Sequence, residues 1–185
     1  MKKLLLHVCC APCSTSVIER LKAEYDYNIT AFFSNSNILP EDEYNKRKRA
    51  LIEFISAVHP DIEIIFDDYD PRGYFDAISG LETLGEGSER CDNCIGYRLK
   101  KTAKKARDGG FDAFTTTLTV SPHKNAKKIN EMGKAFESEF GVYFLAEDFK
   151  KRNGFLRSIE LCKQYNIYRQ TYCGCNLLKE IPNEV

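Results

Sequence analysis

The residues best suited to chemistry are cysteines, and they come in groups. The stretch HVCCAPCS, residues 7–14, holds Cys9, Cys10 and Cys13; RCDNC sets Cys91 and Cys94 as C-x-x-C; YCGC sets Cys173 and Cys175 as C-x-C. Neighbours on an extended chain point to opposite sides, so Cys9 and Cys10 cannot both serve a core, and the pair points to ligation instead. A tetrahedral zinc site takes four thiolate or imidazole ligands. Seven grouped cysteines out of eight exceed that number and suit a cubane iron-sulfur cluster with a second metal or a redox pair. Ligand type alone leaves zinc and iron both open.

The spacing within each group is suited to ligation. Cys91 and Cys94, three apart at the opening of a helix, share a face where free N–H groups and the helix dipole favour thiolates. Cys10 and Cys13 repeat that spacing with Pro12 starting a helix, and Gly174 lets the chain turn so that Cys173 and Cys175 face one centre. Cys162 shares a helical face with Phe155 and Ile159 and reads as core. His7 reads as a satisfied histidine on a buried strand rather than a ligand, and His59, beside Pro60, as a surface or capping residue.

The elements that must position these residues alternate. Short apolar runs predict strands near 3–8, 28–33, 62–66, 113–118 and 142–145, with amphipathic helices between them, which is the pattern of an α/β fold with a parallel sheet. Leu51, Ile52, Ile55 and Val58 mark one buried helical face; Ser121 and Pro122 read as the start of another helix. One domain over 1–185 is expected, with a glycine-punctuated excursion at 67–94 and a C-terminal tail at 165–185 supplying cysteines. Ligands of open parallel sheets bind at the carboxyl ends of the strands, so HVCCAPCS after the first strand and TLTVSPHKN after the fourth should line one crevice. No glycine follows the first strand to wrap a phosphate, which argues against ATP there.

Composition narrows the class without naming it. With 185 residues, 43% hydrophobic, 29% charged and a net charge of zero, the chain has the make-up of a globular protein whose total charge points to no polyanion. The apolar run Leu4–Leu6 stops at His7, too short for a signal segment, and no stretch reaches the length of a membrane span. Abundant cysteine without export reads as a cytoplasmic metal or redox protein. Basic residues gather in RLKKTAKKAR, HKNAKK and FKKRNGFLR. The first reads as a solvated helix face over Lys100–Lys105, and Arg98, Lys101 and Lys105 share one stripe of that helix. Lys124, Lys150, Lys151, Arg152, Arg157 and Arg169 suit either a solvated face or an RNA phosphate track, and Tyr168 and Tyr172 suit either stacking on an extruded base or packing.

Taken together, HVCCAPCS, RCDNC, TTTLTVSPHKN, DFKKRNGFLRS and YRQTYCGC closely resemble the QueH-type epoxyqueuosine reductases over nearly the whole chain. The resemblance implies a fold related to the adenine nucleotide alpha-hydrolases (HUP, PP-loop-like). It also implies the last step of queuosine biosynthesis, reduction of epoxyqueuosine to queuosine at the tRNA wobble position, by a cytoplasmic, cobalamin-independent oxidoreductase. The implied cofactors are a 4Fe-4S cluster and an additional mononuclear iron; the implied partners are tRNA bearing epoxyqueuosine and an external flavodoxin- or ferredoxin-type electron donor. Carried onto this chain, the ligands are Cys9, Cys10, Cys13, Cys91, Cys94, Cys173 and Cys175. Cys9, Cys10, Cys91 and Cys94 are expected to hold the cluster, and Cys13, Cys173 and Cys175 the lone iron and the catalysis. Removing an epoxide oxygen as water takes two electrons and two protons, for which Asp112, Asp148 and His123 are conceivable donors. After Cys175, NLLKEIPNEV departs from the family pattern. Two other functions fit the residues less well: a zinc-stabilised RNA-binding protein without redox activity, and an ATP-using tRNA sulfur-transfer enzyme.

Overall fold

The computed structural model describes residues 1–175; the closing stretch 176–185, where the tail departs from the family pattern, lies outside the described residues. The first strand, β1 (Lys2–His7), carries Leu4, Leu5 and Leu6, all fully buried. Three consecutive buried leucines belong to a strand covered on both faces, as parallel sheets are. The sheet is completed by β2 (Tyr27–Phe33), β3 (Glu63–Phe66), β4 (Ala113–Thr116) and β5 (Tyr143–Phe144), in the order β3-β2-β1-β4-β5, every neighbour parallel. Leu5 stands opposite Thr30 on one side and Phe114 on the other.

Helices cover the two faces separately. On one side Leu4 and Leu6 pack with Val17, Ile18 and Leu21 of α1 (Ala11–Glu24) and with Leu51, Phe54 and Ile55 of α2 (Glu41–Val58). On the other, Leu5, Phe114 and Phe144 meet Ala103 and Ala106 of α4 (Glu89–Asp108), with α5 (Ala126–Phe140) alongside. A short α3 (Pro71–Ala77) lies within the excursion, and α6 (Gly154–Gln164) packs on α1. No helix among the described residues is long and apolar enough to cross a membrane.

Three local expectations change. The fourth strand stops at Thr116, because the next four residues, 117–120, coil into a 3-10 turn capped by Thr116 Oγ1, which accepts from Leu118 N at 3.1 Å. The helix expected from Pro122 begins at Ala126, since Asn125 Oδ1 caps Lys128 N at 3.2 Å, whereas Ser121 Oγ accepts only from His123 N in a turn. Residues 121–125 therefore remain a loop at the crevice. On α2, Ile52 is 37% exposed, and Phe54 takes its place on the buried face.

Close packing of α5 on β5 rests on Gly133, where an added Cβ would lie 2.3 Å from Phe144 Cε1. Gly133→Ala is expected to lower stability by about 1–3 kcal/mol. Gly96→Ala, whose Cβ meets nothing within 4 Å, should raise stability by up to about 1 kcal/mol through helix propensity. Thermal midpoints check both, and a wild-type midpoint for Gly133→Ala would contradict the close approach.

Candidate metal centre

Beyond β1 the chain bends at Cys9, and Cys10 becomes the extended residue that precedes α1, with Pro12 in the first turn. That bend brings two neighbouring side chains to one side: Cys9 Sγ and Cys10 Sγ are 3.8 Å apart, and with Cys13 Sγ all three lie within 4.8 Å of one another. Thiolates bound at roughly 2.3 Å to a tetrahedral ion stand about 3.8 Å apart, so this trio fits three ligands of one metal ion. A cubane, whose thiolates bind different irons, needs sulfurs further apart. The Thr117 hydroxyl donates to Cys9 Sγ at 3.3 Å and accepts from Cys9 N at 3.2 Å, and Gln170 Nε2 donates to Cys10 Sγ at 3.0 Å.

The remaining four candidate ligands line a neighbouring cavity of about 330 Å³, Cys91 and Cys94 from the opening of α4, Cys173 and Cys175 from the tail. A second cavity of about 340 Å³ adjoins it, lined by Cys9, Cys10 and Cys13 and sharing Arg98, His123, Lys124 and Cys173 with the first. The geometry thus groups Cys13 with Cys9 and Cys10, while Cys91, Cys94 and Cys175 line the first cavity and Cys173 lines both. The expected division had paired Cys9 and Cys10 with Cys91 and Cys94.

The tail has no regular structure at 168–175 and is held by side chains. Arg47, 2% exposed, is the clamp: Nη1 donates to Cys173 O at 2.8 Å, Nη2 to Tyr172 O at 3.1 Å, and Nε pairs with Glu43 at 2.7 Å. Leu39 N donates to Gly174 O at 3.0 Å, and the Tyr172 hydroxyl donates to Leu39 O at 2.7 Å. Gly174, at φ 153, lies so close to this loop that a Cβ would come within 2.8 Å of Asn37 Nδ2. The Tyr168 hydroxyl bonds Glu43, and Lys46 Nζ sits 3.8 Å from its ring centroid.

Charge in the crevice is strongly organised. Hydrogen bonds from Cys10 and Cys13, with that of Thr117, hold the Cys9 thiol well below its usual range despite burial. The Cys13 bond draws the Cys10 thiol down, but its bond to Cys9, burial and the Cys9 charge outweigh it and push that thiol up. Bonds to Cys10 and Cys9, together with burial, push Cys13 up as well. Burial raises the Cys94 thiol to about 11 against the pull of Arg98. His7 is lowered to about 4 by burial, then by Arg98, and is therefore neutral. Since Ser34 O can only accept, at 3.2 Å, the ring proton sits on Nε2, and Nδ1 accepts from the Thr116 hydroxyl at 2.9 Å. Lys124 Nζ donates to Cys173 Sγ at 3.3 Å; burial and Arg98 work against its charge, but Cys173 and Cys9 together raise its pKa.

The other basic candidates spread out. Lys150 Nζ donates to Lys124 O at 3.1 Å and so stands behind the crevice loop, Lys151 is exposed, and Arg169 lines the second cavity. Arg152 pairs with Glu24 at 2.7 Å, and Arg157 with Glu19 at 2.9 Å. Of the conceivable proton donors His123 lines both cavities, whereas Asp112 accepts from Lys3 N at the opposite end of the sheet. Arg98, on one helical stripe with Lys101 and Lys105, was missed as a site residue: it is 3% exposed and walls both cavities. Its position four residues after Cys94 and seven after Cys91 was the available signal, because it puts the guanidinium on the ligand face of α4. Arg47 and the fully buried Tyr74, which lines the first cavity, were also missed.

A parallel sheet whose switch-point crevice gathers two adjoining cysteine groups defines an α/β protein with a candidate metal centre. A family model described as "Epoxyqueuosine reductase QueH" matches residues 4–180, and the chain belongs to that family. Relatives carrying the same name include one from Streptococcus pyogenes serotype M1, 46% identical over 176 residues, covering 93% of this chain and 68% of the relative. One from Staphylococcus epidermidis is 41% identical over 179 residues (94% and 74%), and one from Thermotoga maritima is 38% identical over 179 residues (95% and 89%).

Arg47→Met should free the tail: protease cleavage within 169–175 accelerates and stability falls by roughly 3 kcal/mol, because Glu43 loses its buried partner. Wild-type resistance to cleavage would show that the clamp is not needed. Cys162→Ala, in contrast, should cost about 1 kcal/mol and leave metal content unchanged, since Cys162 is a buried residue of α6.

Proposed function

We propose that this chain reduces epoxyqueuosine to queuosine at the wobble position of tRNA, the last step of queuosine biosynthesis. The observation that carries the reading is the pair of adjoining cysteine groups at one crevice, in a chain that belongs to a family of this name. Cys91, Cys94, Cys173 and Cys175 would hold a 4Fe-4S cluster, and Cys9, Cys10 and Cys13 a mononuclear iron. The tight sulfur spacing of Cys9, Cys10 and Cys13 supports this division, as does the neighbouring cavity that the other four cysteines line. When bound, the cluster supplies electrons one at a time and the iron a Lewis-acidic position, without cobalamin. The reaction takes two electrons and two protons and releases the epoxide oxygen as water.

The protein's own groups prepare the site. Thr117 and Gln170 aim hydrogen bonds at Cys9 and Cys10, fixing those sulfurs, while Arg98 and Lys124 bring positive charge to the cavity walls. The cavity of about 340 Å³ suits an extruded base, with apolar Leu118, Val120 and Phe155 in its lining. Lys124, Lys150, Lys151 and Arg169 around it would meet the RNA backbone, with Arg152 and Arg157 further along the same track and Tyr168 on the tail beside it. The domain would act in the cytoplasm as one unit over 1–185, with electrons from a flavodoxin- or ferredoxin-type donor.

Protein purified without oxygen should carry about four or more irons per chain with matching sulfide, and convert epoxyqueuosine in tRNA when given a competent reductant. Cys173→Ala should abolish that turnover. Zinc without sulfide would favour a zinc-stabilised RNA-binding protein, and unchanged epoxyqueuosine in tRNA after full reconstitution would defeat the reductase reading.

A further inference from the structure

Arg98 is a buried cation whose neighbours are sulfurs. It is 3% exposed, and its Nε donates to the neutral carbonyl of Cys94 at 3.2 Å. It walls both cavities, the one lined by Cys91, Cys94, Cys173 and Cys175 and the one lined by Cys9, Cys10 and Cys13, so it faces both cysteine groups. Taking a guanidinium out of water costs several kcal/mol unless a counter-charge faces it, and one bond to a carbonyl does not offset that. Neutral thiols would leave the cost standing, whereas thiolates remove it. Lys124 adds a second cation from the crevice loop, donating to Cys173 Sγ at 3.3 Å, but Arg98 is the one carried on the helix that bears Cys91 and Cys94.

We propose that Arg98 is the shared counter-ion of the two cysteine groups, a positioning residue that lets the crevice hold so many thiolates and raises the reduction potential of the centre they form. The inference rests on the reading of these cysteines as ligands of an iron-sulfur centre. A guanidinium does not deprotonate in proteins, so its charge is constant through the reaction. A reduced centre carries one more negative charge than an oxidised one, and a fixed cation in a water-poor wall stabilises the reduced form more. The bond to Cys94 O sets the plane of the guanidinium within α4, the helix that also carries Cys91 and Cys94.

The test compares wild type, Arg98→Met, Arg98→Gln and Arg98→Lys, each reconstituted with iron and sulfide without oxygen and checked for fold by circular dichroism. Iron and sulfide content and the midpoint potential of the centre are the readouts. The neutral variants should load less iron, or load it and show a lower midpoint potential, while Arg98→Lys recovers most of the loss. Should Arg98→Met fail to fold, Arg98→Gln, which keeps a polar donor in the wall, carries the neutral arm. Folded neutral variants with wild-type iron and wild-type potential would overturn the role of Arg98. Wild-type protein that takes up no sulfide would overturn the reading of the centre instead.

Discussion

Crowding seven sulfurs at the carboxyl edge of one sheet is the constraint that the rest of the structure answers. Thiolates brought together repel one another, and burial penalises the charge of Cys9, Cys10, Cys13 and Cys94. The answer is a set of donors and cations aimed at sulfur: Thr117 and Gln170 on the first group, Lys124 and Arg98 on the second or on both. Each comes from a different element, so the site exists only when the fold is complete.

The backbone beneath shows the same economy. His7 ends β1 as a neutral ring bonded to Thr116 on β4 and to Ser34 after β2, tying together the three strands whose ends open the crevice. Asn35 Nδ2 reaches Val8 O at 2.8 Å in the same layer. Polar atoms that would be costly if unpaired in this dry interior thus fix where the cysteine loop leaves the sheet. The ligand loop inherits its position from buried hydrogen bonds.

Much of this was readable from residue order. The leucine run of β1, the alternation of elements and the three cysteine groups follow from local pattern, and each reappears in the fold. What local pattern could not give is which cysteines meet, because Cys13 and Cys173 are placed by a helix opening and by a tail clamp that act over long range. Ser121 and Asn125, four apart, are both capping residue types, and it is the Asn125 side chain that caps the helix. Arg98 looked like its lysine neighbours because charge was counted without asking which face of α4 also carries the cysteines.

The candidate ligands come from opposite ends of the chain and from elements of very different strength. Cys9, Cys10 and Cys13 are anchored to the central strand, while Cys173 and Cys175 hang on an irregular strap held by side chains, with Arg47 as its clamp. A force applied from the carboxyl side, such as that of an unfolding motor, would peel the strap before disturbing any strand. Applied from the amino side, it would have to tear out β1 and with it the whole sheet. The direction of pull thus decides whether such a centre is opened with its fold intact or lost together with it.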